Sequence, residues 1–260
     1  MEIFDIFWDP QKYLEFLPFL IRTSFFIMSI PIFTSGVVPV MIRLGFAFSV
    51  SIAMYSGSKL NVGLPITVGG IIAGITNELI LSFLIFLTIR IFFLGPQLSG
   101  EIFGFQVGYS LMTIVQPFEE TQLSVIADLL FIITMMLFFA LDLHIGFFWG
   151  LKKSFELVPP FAPVMIDQAK GIVLSRISDA FSASLQILLP LILLLFVIEI
   201  SIAIISRSVP QFNLFVVGFP LKIIAGILVM TLIFDRIPFA IGEFLKKFIE
   251  TYSDLLKVVR

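Results

Sequence analysis

The chain has 260 residues, of which 59% are hydrophobic and 13% are charged, and its formal net charge is −2. A soluble domain carries roughly 25% charged residues, so this composition, with a mean hydropathy of +1.11, excludes an ordinary soluble protein and indicates an integral membrane protein. The slightly acidic balance offers no basic surface that would neutralise phosphates, so we expect no nucleic acid partner, and the absence of cysteine excludes disulfides and thiolate metal sites.

Six apolar segments follow one another along the chain, each near or above the ~20 residues that cross a bilayer core. No polar stretch between them is long enough for a separate soluble domain, so we predict one all-α integral-membrane domain over residues 1–260. A simple count gives about six membrane spans. The predicted segments are 14–33, 37–57, 64–98, 123–151, 179–206 and 214–238.

Charged residues and prolines interrupt these segments more often than a lipid-facing bundle tolerates. Irregular backbone and charge at membrane depth are accepted where protein or water surrounds them, so we expect much of the surface to be buried against other subunits. The charges are Glu78, Arg90, Glu101, Asp128, Asp142 and Glu199, and the prolines are Pro18, Pro31, Pro39, Pro65, Pro96, Pro117, Pro190 and Pro220.

A glycine ladder with polar neighbours is the segment most suggestive of function. Gly100, Gly104 and Gly108 recur at i, i+4 and i+8, so on a helix they would form one ridge without side chains that another backbone can approach. Glu101 and Gln106 lie in the same segment, and burying such groups in hydrocarbon requires partners or water. The ridge is open to two interpretations, ordinary helix packing and the support of a gate.

The connection over residues 151–178 carries more cations than anions. Lys152, Lys153, Lys170 and Arg176 outnumber Glu156 and Asp167, and by the positive-inside rule this small excess favours a cytoplasmic location for the connection. Further along, residues 236–260 interleave apolar and charged residues, which predicts a C-terminal amphipathic helix at an interface or against a partner.

Known catalytic motifs are missing from the sequence, which holds a single histidine. Asp128 and Asp142 stand about four helical turns apart, roughly 21 Å along a helix, so they cannot form a carboxylate dyad. We interpret His144 as a buried structural donor in preference to a proton relay. The sequence therefore predicts neither an enzyme nor a cofactor. Arg207 and Lys222 fit snorkelling at segment ends and pairing between subunits about equally well.

The order of the motifs resembles the FliR family, the R-type subunit of the flagellar type III protein export gate. Two patterns carry the resemblance: Gly-Glu-x-x-Gly-x-Gln-x-Gly over residues 100–108 and Pro-Gln-x-Asn-x-Phe-x-x-Gly-x-Pro over residues 210–220. Around them, in order, stand Arg22, Pro31, Gly36, Pro39, Arg43, Pro117, His144, Ser154, Pro159, Arg207 and Lys222.

The resemblance implies a protein of long kinked helical hairpins that joins P-type and Q-type subunits, FliP and FliQ, in a heteromeric helical spiral. It further implies FlhB-type and FlhA-type components and membrane lipid as neighbours, and unfolded exported proteins as the molecules that pass through the channel. The implied location is the bacterial inner membrane, in the flagellar basal body.

By the same resemblance, a loop near residues 107–121 plugs the closed pore. The matching positions of the plug are Leu111, Met112, Ile114 and Pro117. The resemblance leaves the glycine ridge as the helix-packing support of this loop. Separately, we expect five residues of the two patterns and their surroundings to be intersubunit or buried polar residues: Glu101, Gln106, Arg207, Gln211 and Asn213.

The chain departs from the family pattern at several positions. Leu111 and Ile114 stand where phenylalanine is common, Gln116 precedes Pro117 in place of aspartate, and Leu143 replaces a glycine before His144. The plug stays apolar, so sealing by dewetting is retained. Two alternatives are kept: the homologous virulence secretion subunit, and a secondary transporter that uses intramembrane carboxylates such as Glu101 and Asp128. The intact segment 210–220 favours the flagellar subunit.

Overall fold

The computed structural model describes residues 8–34, 36, 38–58, 67–108, 125–164, 166–208 and 218–246. The regular structure in these ranges is helical, without a strand, and it includes several long apolar helices. The predicted all-α membrane fold is therefore confirmed. Within the described ranges the helices are α1 (Pro10–Ser29), α2 (Pro31–Thr34), α3 (Val40–Gly57), α4 (Val68–Val107), α5 (Val125–Ala140), α6 (Leu143–Leu157), α7 (Ile166–Ser208), α8 (Phe219–Ile233) and α9 (Arg236–Lys246).

The described residues fall into two compact units. One lies within Met1–Phe92 and Asp142–Ile177, and the other within Phe93–Leu141 and Ser178–Lys246. The long helices α4 and α7 each contribute residues to both units. The single domain over residues 1–260 stays a prediction, because two compact units of one chain can still belong to one folding domain.

In the first unit, α1 begins at a polar cap and packs through its aromatic face. The Asp9 carboxylate accepts a hydrogen bond from the Gln11 N–H at 2.9 Å, and Pro10 occupies the first helical position, where its missing N–H costs nothing. Phe19, fully buried, stacks on Phe155 of α6 with ring centroids 4.5 Å apart, and its edge meets Tyr55 of α3 at 5.4 Å. These contacts join three helices around one aromatic cluster.

In the second unit, small residues let the helices approach closely. The Ser99 hydroxyl of α4 donates to the Ser184 carbonyl of α7 at 3.2 Å, and a Cβ on Gly95 would lie 3.3 Å from the Ala180 carbonyl oxygen. Helices α8 and α9 meet at a bend of 66°. Helix α9 lies where the predicted C-terminal amphipathic helix starts, and residues 247–260 lie outside the described part of the chain.

Several predicted segments change their bounds in the structure. The segment 123–151 is divided between α5 and α6 by a turn in which Asp142 adopts φ +54, a left-handed conformation that aspartate tolerates better than most residues. Helices α4 and α7 continue through Pro96 and Pro190, past the limits of the predicted apolar segments. Tertiary packing can retain a helix across a proline that alone would kink or break it.

Three of the described helices are long and apolar enough to cross a membrane, and up to five candidates result if each bent pair forms one span. The three are Val40–Gly57, Val68–Val107 and Val173–Arg207. The predicted segment 14–33 overlaps α1, which is not among them and carries Lys12, Glu15 and Arg22. Only 11% of the α3 window is buried inside the chain, so this helix presents its apolar surface outward.

Candidate functional site

Gly100 brings the backbones of two helices into direct contact in the second unit. A Cβ at this position would lie 2.3 Å from the Ala127 Cα and 2.6 Å from the Ala127 nitrogen on α5. Distances this short leave no room for any side chain, and the atoms in the way belong to backbone that cannot rotate aside. Helix α4 can therefore rest against α5 at this point only with glycine in the sequence.

The other two glycines of the ladder have different surroundings. Gly104 is buried on α4, whereas Gly108 stands just after the end of the helix at Val107 and adopts φ +96. The N–H of Gly108 donates to the Phe105 carbonyl at 3.1 Å, which closes the last turn. Gly108 therefore terminates α4 and does not extend the glycine ridge of the helix. Glycine suits this position because it adopts positive φ without steric cost.

An ion pair crosses from α7 to α8 near the end of α4. Lys222 Nζ lies 2.5 Å from Glu199 Oε1, and the Gln106 amide donates to Glu199 Oε2 at 3.5 Å, the long limit of a hydrogen bond. Lys222, which the sequence left between snorkelling and intersubunit pairing, is paired inside its own chain. The Glu199 side chain is 49% exposed, so the pair contributes little to stability in water.

Glu101 has a carboxylate oxygen removed from solvent. Among the described residues its Oε1 atom is buried and accepts no hydrogen bond. A buried carboxylate oxygen without a donor is costly, so the arrangement favours a donor from outside the described residues. This environment agrees with the expected role of Glu101 as a buried or intersubunit polar residue, which stays a prediction.

Some of the remaining predicted site residues lie on the described helices, and others lie outside the described part of the chain. Arg207 is exposed in the last turn of α7, where a cation interacts favourably with the helix dipole. Asp128 lies exposed in the first turn of α5, and His144 is half-buried in α6. The plug residues Leu111, Met112, Ile114 and Pro117, and the polar residues Gln211 and Asn213, lie outside the described part of the chain.

A buried ion pair in the first unit joins two charged residues that are far apart in the sequence. Arg22 of α1 is fully buried and Glu78 of α4 is 2% exposed. Two parallel hydrogen bonds connect them, from Nε to Oε1 at 2.6 Å and from Nη2 to Oε2 at 2.8 Å. The paired residues are 56 positions apart in sequence, so no local spacing could have revealed them.

The same guanidinium also holds the end of α6. Arg22 Nη1 donates to the carbonyls of Ser154 at 2.8 Å and Val158 at 3.1 Å, and the guanidinium carbon lies 4.3 Å from the Phe155 ring centroid. The Arg22 cation thereby satisfies the Val158 carbonyl beyond the last turn of α6 and gives a second donor to the Ser154 carbonyl, which also accepts the Val158 N–H at 3.0 Å. Arg22 connects α1, α4 and α6 inside an apolar unit, which makes it a structural centre of that unit.

The Gly100 contact lies beside a cavity in the second unit. An open cavity of about 360 Å³ is lined mostly by apolar residues of α4, α5 and α8, among them Phe103, Ile126 and Ile227, and also by Asp235. Within the described ranges, no three side chains of the His, Cys, Asp or Glu type are grouped to hold a metal ion.

Known proteins resemble this chain over almost all of its length. The family described as bacterial export proteins, family 1, matches residues 13–248. A flagellar biosynthetic protein FliR from Caulobacter vibrioides is 26% identical over 85% of this chain and 88% of its own length. The FliR proteins of Bacillus subtilis and Escherichia coli are 26% and 27% identical, over 94% and 86% of this chain and 95% and 85% of their own lengths.

Proposed function

Because this chain belongs to the bacterial export proteins, family 1, the family of the flagellar biosynthetic protein FliR, we propose that it forms part of the flagellar protein export gate. In this proposal it joins P-type and Q-type subunits, FliP and FliQ, in a spiral that encloses a channel for unfolded flagellar proteins. FlhB-type and FlhA-type components adjoin the gate, which lies in the bacterial inner membrane within the flagellar basal body.

The observation that carries the proposal is the family match over residues 13–248, which includes both sequence patterns of the resemblance. Outward apolar surface supports it. On α7, large apolar side chains such as Leu189, Leu193 and Ile204 are 53%, 56% and 63% exposed, as expected for a helix covered by lipid or by other subunits. The membership favours an export gate over a secondary transporter, and the flagellar relatives favour the flagellar subunit over the virulence one.

The gate has a fixed support and a movable seal. Gly100 fixes α4 against α5, and Gly108 turns the chain out of α4 at the point where the loop near 107–121 begins. The apolar residues of that loop, Leu111 and Ile114 with Met112 and Pro117, exclude water and ions from the closed channel by dewetting. An exported chain displaces the loop on entry.

Removing the seal tests this part of the proposal. Changing Leu111 and Ile114 together to glycine, or deleting residues 109–116, should raise ion conductance several-fold, because apolar side chains no longer dewet the constriction. Conductance of the assembled complex in planar bilayers measures the effect. The paired control is Ile42→Ala with Leu44→Ala, two exposed residues of α3. Conductance equal to that of the unmodified complex would remove the plug from the proposal.

A further inference from the structure

A cavity opens at the end of a candidate membrane span in the first unit. Its volume is about 540 Å³, within the range of small-molecule sites, and it lies between the last turn of α3 and the second half of α6. Helix α3 is long and apolar enough to cross a bilayer and ends at Gly57, so a span of this length would reach the headgroup region at this end. The lining residues are Ala53, Met54, Gly57, Ser58, Lys152, Phe155 and Glu156.

Two opposite charges line this cavity without neutralising each other. Lys152 and Glu156 stand one turn apart on α6, and neither forms a salt bridge with any described residue. Their order contributes to this, since lysine preceding glutamate at i, i+4 is the weaker orientation of such a helical pair. Both side chains are exposed, so a ligand in the cavity can reach a cation and an anion that lie side by side next to apolar residues.

Trp149 lies one turn before Lys152 on the exposed surface of α6. Its side chain is 66% exposed, and Lys152 Nζ lies 5.3 Å from its ring centroid. Exposed tryptophan beside lysine is typical of the headgroup region, where the ring contacts apolar groups and the cation meets phosphate. Exposed Lys153 adds a second cation to the same surface.

We propose that this cavity binds the headgroup of a zwitterionic phospholipid with a primary ammonium, phosphatidylethanolamine. Lys152 pairs with the phosphate and Glu156 accepts hydrogen bonds from the ammonium group, while Ala53 and Met54 contact the glycerol and upper acyl carbons. A quaternary ammonium has no N–H to donate to Glu156, and a purely anionic headgroup leaves Glu156 unpaired and repelled.

Tryptophan fluorescence reports on the site directly, because the chain has only two tryptophans. With Trp8→Phe, Trp149 is the sole tryptophan in the full-length protein reconstituted in bilayers, and excitation selective for tryptophan reports on it alone. We expect phosphatidylethanolamine brominated near the headgroup to quench Trp149 at several-fold lower mole fraction than brominated phosphatidylcholine or phosphatidylglycerol. Glu156→Gln and Lys152→Ala should each abolish this preference, whereas Lys153→Ala, a cation not lining the cavity, should retain it.

The other outcomes overturn the proposal. Equal quenching by the three lipids would show ordinary boundary lipid. A preference for phosphatidylglycerol that survives Glu156→Gln would show a site for anionic headgroups alone. Absence of quenching by every brominated lipid would show that protein, and not lipid, covers the cavity.

Discussion

Replacing Glu78 with alanine is expected to destabilise the protein by about 3–5 kcal/mol, because the variant leaves the fully buried Arg22 cation without its counter-charge. With a shift of roughly 2–4 °C per kcal/mol for a chain of this size, the unfolding temperature in detergent should fall by about 6–20 °C. Arg22→Ala should have a similar effect, since it leaves the Glu78 carboxylate and the Val158 carbonyl unpaired.

The double variant Arg22→Met with Glu78→Leu distinguishes the cost of leaving one buried charge unpaired from the net contribution of the ion pair to stability. Two apolar side chains bury no uncompensated charge, so this variant should unfold at a higher temperature than either alanine variant. Arg90→Ala is the matched control, because Arg90 also lies on α4 but is exposed. This substitution should change the free energy of unfolding by no more than about 0.5 kcal/mol. If Glu78→Ala unfolded at the same temperature as Arg90→Ala, the buried pair would not stabilise the first unit.

A single methyl group at Gly100 is expected to disrupt the second unit. Because the added Cβ would lie 2.3 Å from backbone of Ala127, Gly100→Ala must push α4 and α5 apart, at a cost of about 1–3 kcal/mol or more. Gly100→Leu should prevent the native packing altogether. Thermal unfolding in detergent and the yield of assembled complex measure the two effects.

Gly171 provides the control for this substitution. It is a helical glycine of α7 with no atom within 4 Å of its Cβ position, and Gly171→Ala should be neutral or slightly stabilising through better helix propensity. If Gly100→Ala behaved like Gly171→Ala, the helices would not depend on a glycine at their crossing.

The sequence predicted what depends on local composition. Apolar content identified the helices and the fold class, and the spacing of the glycines located Gly100, whose contact with Ala127 requires the absence of a side chain. The helix-terminating role of Gly108 was missed, because i, i+4, i+8 spacing does not show where a helix ends. Its positive φ depends on the turn that follows α4.

Long-range pairings escaped prediction for a different reason. Glu78 looked like a charge misplaced in an apolar segment, whereas Arg22 was noted only for the family resemblance, and only the fold brings their atoms within 2.6 Å. Likewise, Glu199 and Lys222 belong to different helices, so the sequence could not distinguish pairing within the chain from pairing between subunits. The predicted segments 64–98 and 179–206 already run through Pro96 and Pro190, but apolar composition alone set limits that fall short of the C-terminal end of α4 and of both ends of α7.

Co-purification from native membranes tests the central claim that this chain is a gate subunit most directly. Full-length protein carrying an affinity tag, expressed at its normal level with its neighbours, should elute as one heteromeric complex that contains P-type and Q-type subunits by mass spectrometry. Stable elution as a monomer or homo-oligomer without those subunits would contradict the claim and favour a protein that works alone.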